Sequence, residues 1–157
     1  MSEFEGCPGS KMFDFRGKDK EQQDSAAVKI KSQLRQWPIQ LHLISPEAPY
    51  YQGADVVLAA DCVAYALGNF HTDYLKGKSI AIACPKLDEG QDIYVEKIKS
   101  WLEDAKINTL TVLIMQVPCC MGLLKLAQQA AQSSKRKVPI KAIVVSLQGE
   151  ILSEDWA

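Results

Sequence analysis

From residue 39 onward, short apolar runs alternate with longer stretches of mixed character. Residues 39–44 alternate strictly, with Ile39, Leu41 and Leu43 against Gln40 and His42, and predict a strand. Four further runs, at 56–60, 79–83, 109–117 and 140–147, are almost continuously apolar and are bounded by aspartate or proline. Such runs suit strands covered on both faces, as in a parallel sheet. Between them lie helical patterns. In 92–105, Tyr94, Ile98, Trp101, Leu102 and Ala105 recur at helical spacing, with Lys97, Lys99, Glu103 and Asp104 on the other side. Asp92 is placed to cap that helix. In 120–132, Leu123, Leu126, Ala127 and Ala130 form a second stripe, and Lys125, Gln128, Gln129 and Gln132 face away. Lys135-Arg136-Lys137 follows, as a solvated helix end that complements the dipole.

Upstream the pattern fades. Ala26, Ala27, Ile30 and Leu34 suit a short helix over 25–36, which Trp37-Pro38 must end, because a residue before proline is pushed out of the helical region. Residues 1–24 carry a polar run at 17–24 and read as a flexible tail or connector, with Phe13 and Phe15 against the domain surface. The expected organisation is one domain over 25–157. Strands alternating with helices predict a three-layer α/β fold: a mainly parallel five-stranded sheet with helices on both faces, of Rossmann or flavodoxin-like type.

Composition narrows the function. The chain has 157 residues and a formal net charge of −1, a balance that leaves no electrostatic case for nucleic acid. No apolar run approaches the ~20 residues of a membrane span. The acidic start, Met1 to Gly9, lacks the apolar core of a signal peptide, so the expected compartment is the cytoplasm. Disulfides are rare there, and an odd count of five cysteines argues against a paired framework.

The cysteines are placed informatively. Cys62 follows the run 56–60, Cys84 follows 79–83, and Cys119 and Cys120 follow 109–117. If those strands are parallel neighbours, all four sulfurs emerge at the C-terminal edge, where open α/β sheets bind ligands. Cys120 opens a helix, whose dipole is expected to favour the thiolate that ligates metal. Four thiolates suit an iron–sulfur cluster of open nuclearity, or alternatively zinc or a single iron. Further candidates are Cys7, if the N-terminal segment folds back, with His71, Asp61 and Lys86 as extra ligands or tuning groups. His71 is also explained as a hydrogen-bonded surface histidine, Asp61 as a helix cap, and Lys86 as a solvated cation. His42 reads as structural. Two rival functions stand beside the metal site: a redox or transfer enzyme with a nucleophilic cysteine, and an interaction domain whose cysteines merely pack. No glycine-rich phosphate loop, G-x-S-x-G elbow or C-x-x-C pair occurs.

The segments Gly6-Cys7-Pro8-Gly9-Ser10, residues 32–43, Ala60-Asp61-Cys62-Val63-Ala64-Tyr65-Ala66, Cys84-Pro85-Lys86-Leu87-Asp88 and Val117-Pro118-Cys119-Cys120 together resemble the C-terminal domain of ferredoxin-like iron–sulfur proteins of anaerobic bacteria and archaea. In that family the domain usually follows a ferredoxin module with two four-iron clusters. The resemblance implies cluster chemistry or electron transfer, non-catalytic in itself, with a redox partner protein or an associated ferredoxin module. The ferredoxin ligand runs themselves are absent here, so those clusters are not carried over.

Overall fold

The computed structural model describes residues 12–15 and 29–157. Cys7, most of the expected tail and the start of the expected 25–36 helix lie outside the described residues.

Five strands form one sheet in the order β2-β1-β3-β4-β5. They are β1 (Asp55–Ala60), β2 (Ser79–Ala83), β3 (Thr109–Met115), β4 (Ile140–Val145) and β5 (Ile151–Trp156). The first four are mutually parallel, and β5 runs antiparallel to β4. Strand β1 sits between β2 and β3, with Leu58 opposite Ala81 on one side and Val112 on the other. Its residues from Val56 to Ala60 are all buried, as expected of a central strand covered on both faces. At its start, the Asp55 carboxylate accepts hydrogen bonds from Thr109 Oγ1 (2.7 Å) and Asn108 Nδ2 (2.8 Å), pinning β1 to the beginning of β3.

The helices are α1 (Val63–Ala66), α2 (Gln91–Glu103) and α3 (Met121–Ser133). Helices α2 and α3 bury the predicted stripes, Tyr94, Ile98, Trp101 and Leu102 on one and Leu123, Leu126, Ala127 and Ala130 on the other, and pack together. The chain moves in one direction across the sheet from β2 to β3 to β4, and in the opposite direction from β1 to β2. Right-handed crossovers therefore place α2 and α3 on one face, and α1 with the following turn on the other. That is the expected three-layer arrangement. Among the described residues, no helix is long and apolar enough to cross a membrane.

Several expectations need correction. Residues 29–36 are not helical. The predicted strand at 39–44 is a single bridge, Gln40 to Ile82, followed by a turn. Backbone bonds Ile82 N–H to Ile39 O (2.8 Å) and Leu41 N–H to Ile82 O (2.9 Å) cover the outer edge of β2 at one point only. The chain then turns because Lys97 Nζ, reaching from α2, donates to the carbonyls of Leu41, His42 and Ile44 at 2.8–2.9 Å. Lys97 is thus not a solvated residue; burial holds its ammonium below the usual lysine range. The fifth strand is β5, which sequence pattern misses because nearly all of it is exposed. The turn before it requires Gly149, at φ +84°, where a Cβ would fall 2.2 Å from the Ala66 carbonyl oxygen. Helix α2 starts from Gly90 with no side-chain cap, so Asp92 does not cap it. The run Lys135–Lys137 does more than meet solvent: Arg136 Nη1 donates to Ile107 O (2.8 Å) and Leu102 O (3.2 Å), tying the end of α3 to the end of α2.

The remaining outer edge of β2 is closed by a side chain. The buried Gln36 amide accepts from Ile80 N–H (2.8 Å) and donates to Ile80 O (2.9 Å) and the Tyr51 hydroxyl (2.9 Å), as a neighbouring strand would. Gln36→Ala strands the buried Ile80 N–H, so it is expected to cost about 1–3 kcal/mol in urea unfolding and to speed amide exchange at Ile80.

Candidate thiol site at the sheet edge

Strands β2, β1 and β3 are parallel neighbours, so the residues that follow them share the C-terminal edge. Cys62 directly follows β1 by two residues and is the N-cap residue of α1. Cys84 follows β2. Cys119 and Cys120 lie in the 3-10 turn Pro118–Cys120 between β3 and α3. This is also where strand order reverses, with β1 leading left to β2 and β3 leading right to β4. Open α/β sheets hold ligands at that point.

Close packing draws the flanking loops together. A Cβ on Gly122, in the first turn of α3, would sit 3.1 Å from Pro85 Cβ. The loop after β2 therefore touches the start of α3 even though β1 separates their strands. All four cysteines are free: Cys62 is exposed, Cys84 and Cys119 are half-buried, and Cys120 is buried. The Cys62 thiol is pushed up by partial burial and then by Asp61, Cys84 and Cys119. Because Cys62 as a whole is exposed, solvent screens that effect. Burial pushes the Cys120 thiol up to about 11, with Cys119 and Cys62 acting in the same direction. The expectation of a favoured Cys120 thiolate is therefore corrected: burial outweighs the hydrogen bond with the Met115 backbone, which acts the other way. Among the described residues, no group of three or more His, Cys, Asp or Glu side chains is set to hold a metal ion as it stands.

The other candidates separate. Asp61 belongs to the site. Its backbone N–H bonds to Ala83 O (3.1 Å), and its Oδ1 is buried without a hydrogen-bond partner among the described residues. Burial, then the nearby Asp88, pushes its carboxyl up. It does not cap α1, which has no side-chain cap. Lys86 is exposed on the loop after Cys84. His71 opens the π-helical turn His71–Leu75, on the return path toward β2, and its Nδ1 accepts the Gln33 N–H at 3.0 Å.

Asp88 escaped sequence reading. Its N–H bonds to Cys84 O (2.9 Å) and its Oδ2 accepts the Cys84 N–H (2.9 Å), closing the loop on itself. Tyr94 OH donates to the same oxygen, and Gln40 Nε2 approaches it at 3.5 Å. Burial alone would push the Asp88 carboxyl up, but these hydrogen bonds outweigh it and hold it below the usual range. The signal lay in the spacing Cys84-Pro85-x-x-Asp88, since aspartate readily bonds nearby backbone N–H groups.

A thiol raised in the folded chain keeps its proton where the unfolded chain has lost it. The folded state then binds more protons, so stability falls as pH rises from about 9 toward about 11. Urea unfolding of the metal-free protein at pH 8 and pH 10.5 is expected to show a larger alkaline loss for wild type than for Cys120→Ala.

The comparisons agree with the fold. A family model described as a Rossmann-like domain matches residues 48–157. An uncharacterized protein of Archaeoglobus fulgidus is 29% identical over 121 residues, which cover 76% of this chain and 83% of the relative. No solved structure matches. With more than half of its length under that family model and the sheet order to match, the chain belongs to the Rossmann-like domain family.

Proposed function

We propose that the cysteine edge is a thiolate centre for an iron–sulfur cluster, or alternatively for zinc or a single iron, and that the domain works in electron transfer. The observation that carries this reading is the placement of Cys62, Cys84, Cys119 and Cys120 at the ends of three neighbouring parallel strands. The donor set fits a thiophilic metal by its chemistry, since soft thiolates select iron, zinc or a cluster. Cys62, Cys84, Cys119 and Cys120 would hold the group, with Asp61 supplying negative charge beside Cys62. Loading requires the thiols to release their protons and the side chains to close inward. When bound, a cluster would supply a one-electron acceptor and donor. The resemblance to ferredoxin-like proteins supports the same chemistry.

The edge also suits a protein partner. Each cysteine-bearing segment has an exposed apolar side chain within three residues of a cysteine: Tyr65 in α1 (94% exposed), Leu87 in the loop after β2 (79%) and Met121 at the start of α3 (43%). Apolar groups left in water around a redox centre are what a transient redox partner, or an associated ferredoxin module, would cover. The raised, buried Cys120 thiol counts against the rival reading of that residue as a free nucleophile at neutral pH.

Anaerobic purification followed by iron, zinc and sulfide analysis tests the reading. Wild type is expected to carry stoichiometric metal, and Cys62→Ser and Cys119→Ser to lose most of it while remaining folded. A colourless wild-type protein without stoichiometric metal, even after reconstitution with iron and sulfide, would overturn it.

A further inference from the structure

The loop that presents Cys84 is braced more heavily than a surface loop needs. Cys84 and Asp88 exchange two hydrogen bonds, backbone N–H to carbonyl and backbone N–H to carboxylate, each 2.9 Å long. The carboxylate is itself fixed by the Tyr94 hydroxyl from α2 and by Gln40 from the turn beside β2. That turn is anchored in its own right. Lys97 spends its ammonium on the carbonyls of Leu41, His42 and Ile44, and the His42 ring packs on the Tyr94 ring at 4.3 Å between centroids. His42 Nε2 also meets Glu89 O, and Gln91 Nε2 donates to Pro85 O, so the loop is gripped on both sides of Asp88. Only Asp88 reaches the Cys84 backbone itself; the other groups hold Asp88 and the residues around it. The buried Tyr94 thus does more than fill the core, and the exposed His42 packs on its ring.

We propose that Asp88 is a positioning residue for Cys84: its carboxylate locks the Cys84 backbone so that the sulfur is presented to the shared edge in one orientation. The inference rests on the thiolate centre proposed above, and it adds a residue that acts on that centre without touching the metal. Supporting groups of this kind orient ligands, and their loss typically weakens metal affinity by about 10–100-fold.

The test uses the full chain in two states. In the metal-free protein, hydrogen exchange is expected to show the Cys84 amide protected relative to the amides of Lys86 and Leu87. Asp88→Ala, which removes a hydrogen bond to a charged acceptor, is expected to speed Cys84 exchange about tenfold or more and to raise its alkylation rate, whereas Asp88→Asn, which keeps an acceptor oxygen, stays near wild type. Zinc titration is expected to follow the same order, with affinity weakened by about tenfold or more in Asp88→Ala and restored in Asp88→Asn. A wild-type Cys84 amide that exchanges as fast as its exposed neighbours would overturn the proposal, and that result needs no variant to fold. Equal Cys84 reactivity in wild type and Asp88→Ala would overturn it as well. If wild type takes up no metal while the exchange pattern holds, the thiolate centre fails and the Asp88 clamp stands.

Discussion

The structure depends on β1 being hydrogen-bonded in parallel to strands on both sides. Parallel pairing demands crossovers, and crossovers send every chain segment that leaves β2, β1 and β3 out through one edge. Strand β1 is buried on both faces from Val56 to Ala60 and pairs in a single register with β2 and β3. The Asp55 hydrogen bonds to Asn108 and Thr109 fix that register at the opposite end of the strand. Four cysteines separated by up to 58 positions in sequence are thereby delivered to one place by backbone pairing alone. Gly122 completes the arrangement, since only a residue without a Cβ lets α3 settle against Pro85 without displacing it.

What was legible in the sequence follows from how completely each element is buried. Strands β1 to β3 declare themselves because both of their faces need apolar residues, and β4, α2 and α3 because one face of each does. The cysteine edge was readable for the same reason: it follows from strand order, and strand order follows from those runs. Strand β5 was not readable. Its residues from Ile151 to Trp156 are almost all exposed, so no core imposes a pattern on them. The alternation at 39–44 misled in the opposite sense. Leu41 and Ile44 are indeed buried, but the segment spends its backbone on one bridge and then on the Lys97 ammonium. A pattern of apolar positions records burial, and says nothing of which group satisfies the backbone.

The same limit explains the thiol site. Proximity of the cysteines was a topological question and could be argued from strands. Their protonation was not, because it depends on a balance between a helix terminus and burial. At Cys120 burial wins and pushes the thiol up. A metal bound there would have to compete with those protons. The brace through Asp88, Tyr94, Gln40 and Lys97 belongs to the same class of hidden features. It is made of side chains bonded to backbone in a loop, where no periodicity exists to betray it.

Whether the three loops act together at one centre is the central claim, and cobalt substitution measures it most directly. Cobalt(II) added anaerobically to the reduced, metal-free protein reports thiolate ligation as intense sulfur-to-metal charge-transfer absorption in the near ultraviolet. The account predicts such absorption at one equivalent, diminished by Cys62→Ser, by Cys84→Ser and by Cys119→Ser alike, because each loop contributes a ligand to the same ion. Absorption without sulfur charge transfer, or a spectrum untouched by substitution on any one of the three loops, would contradict it.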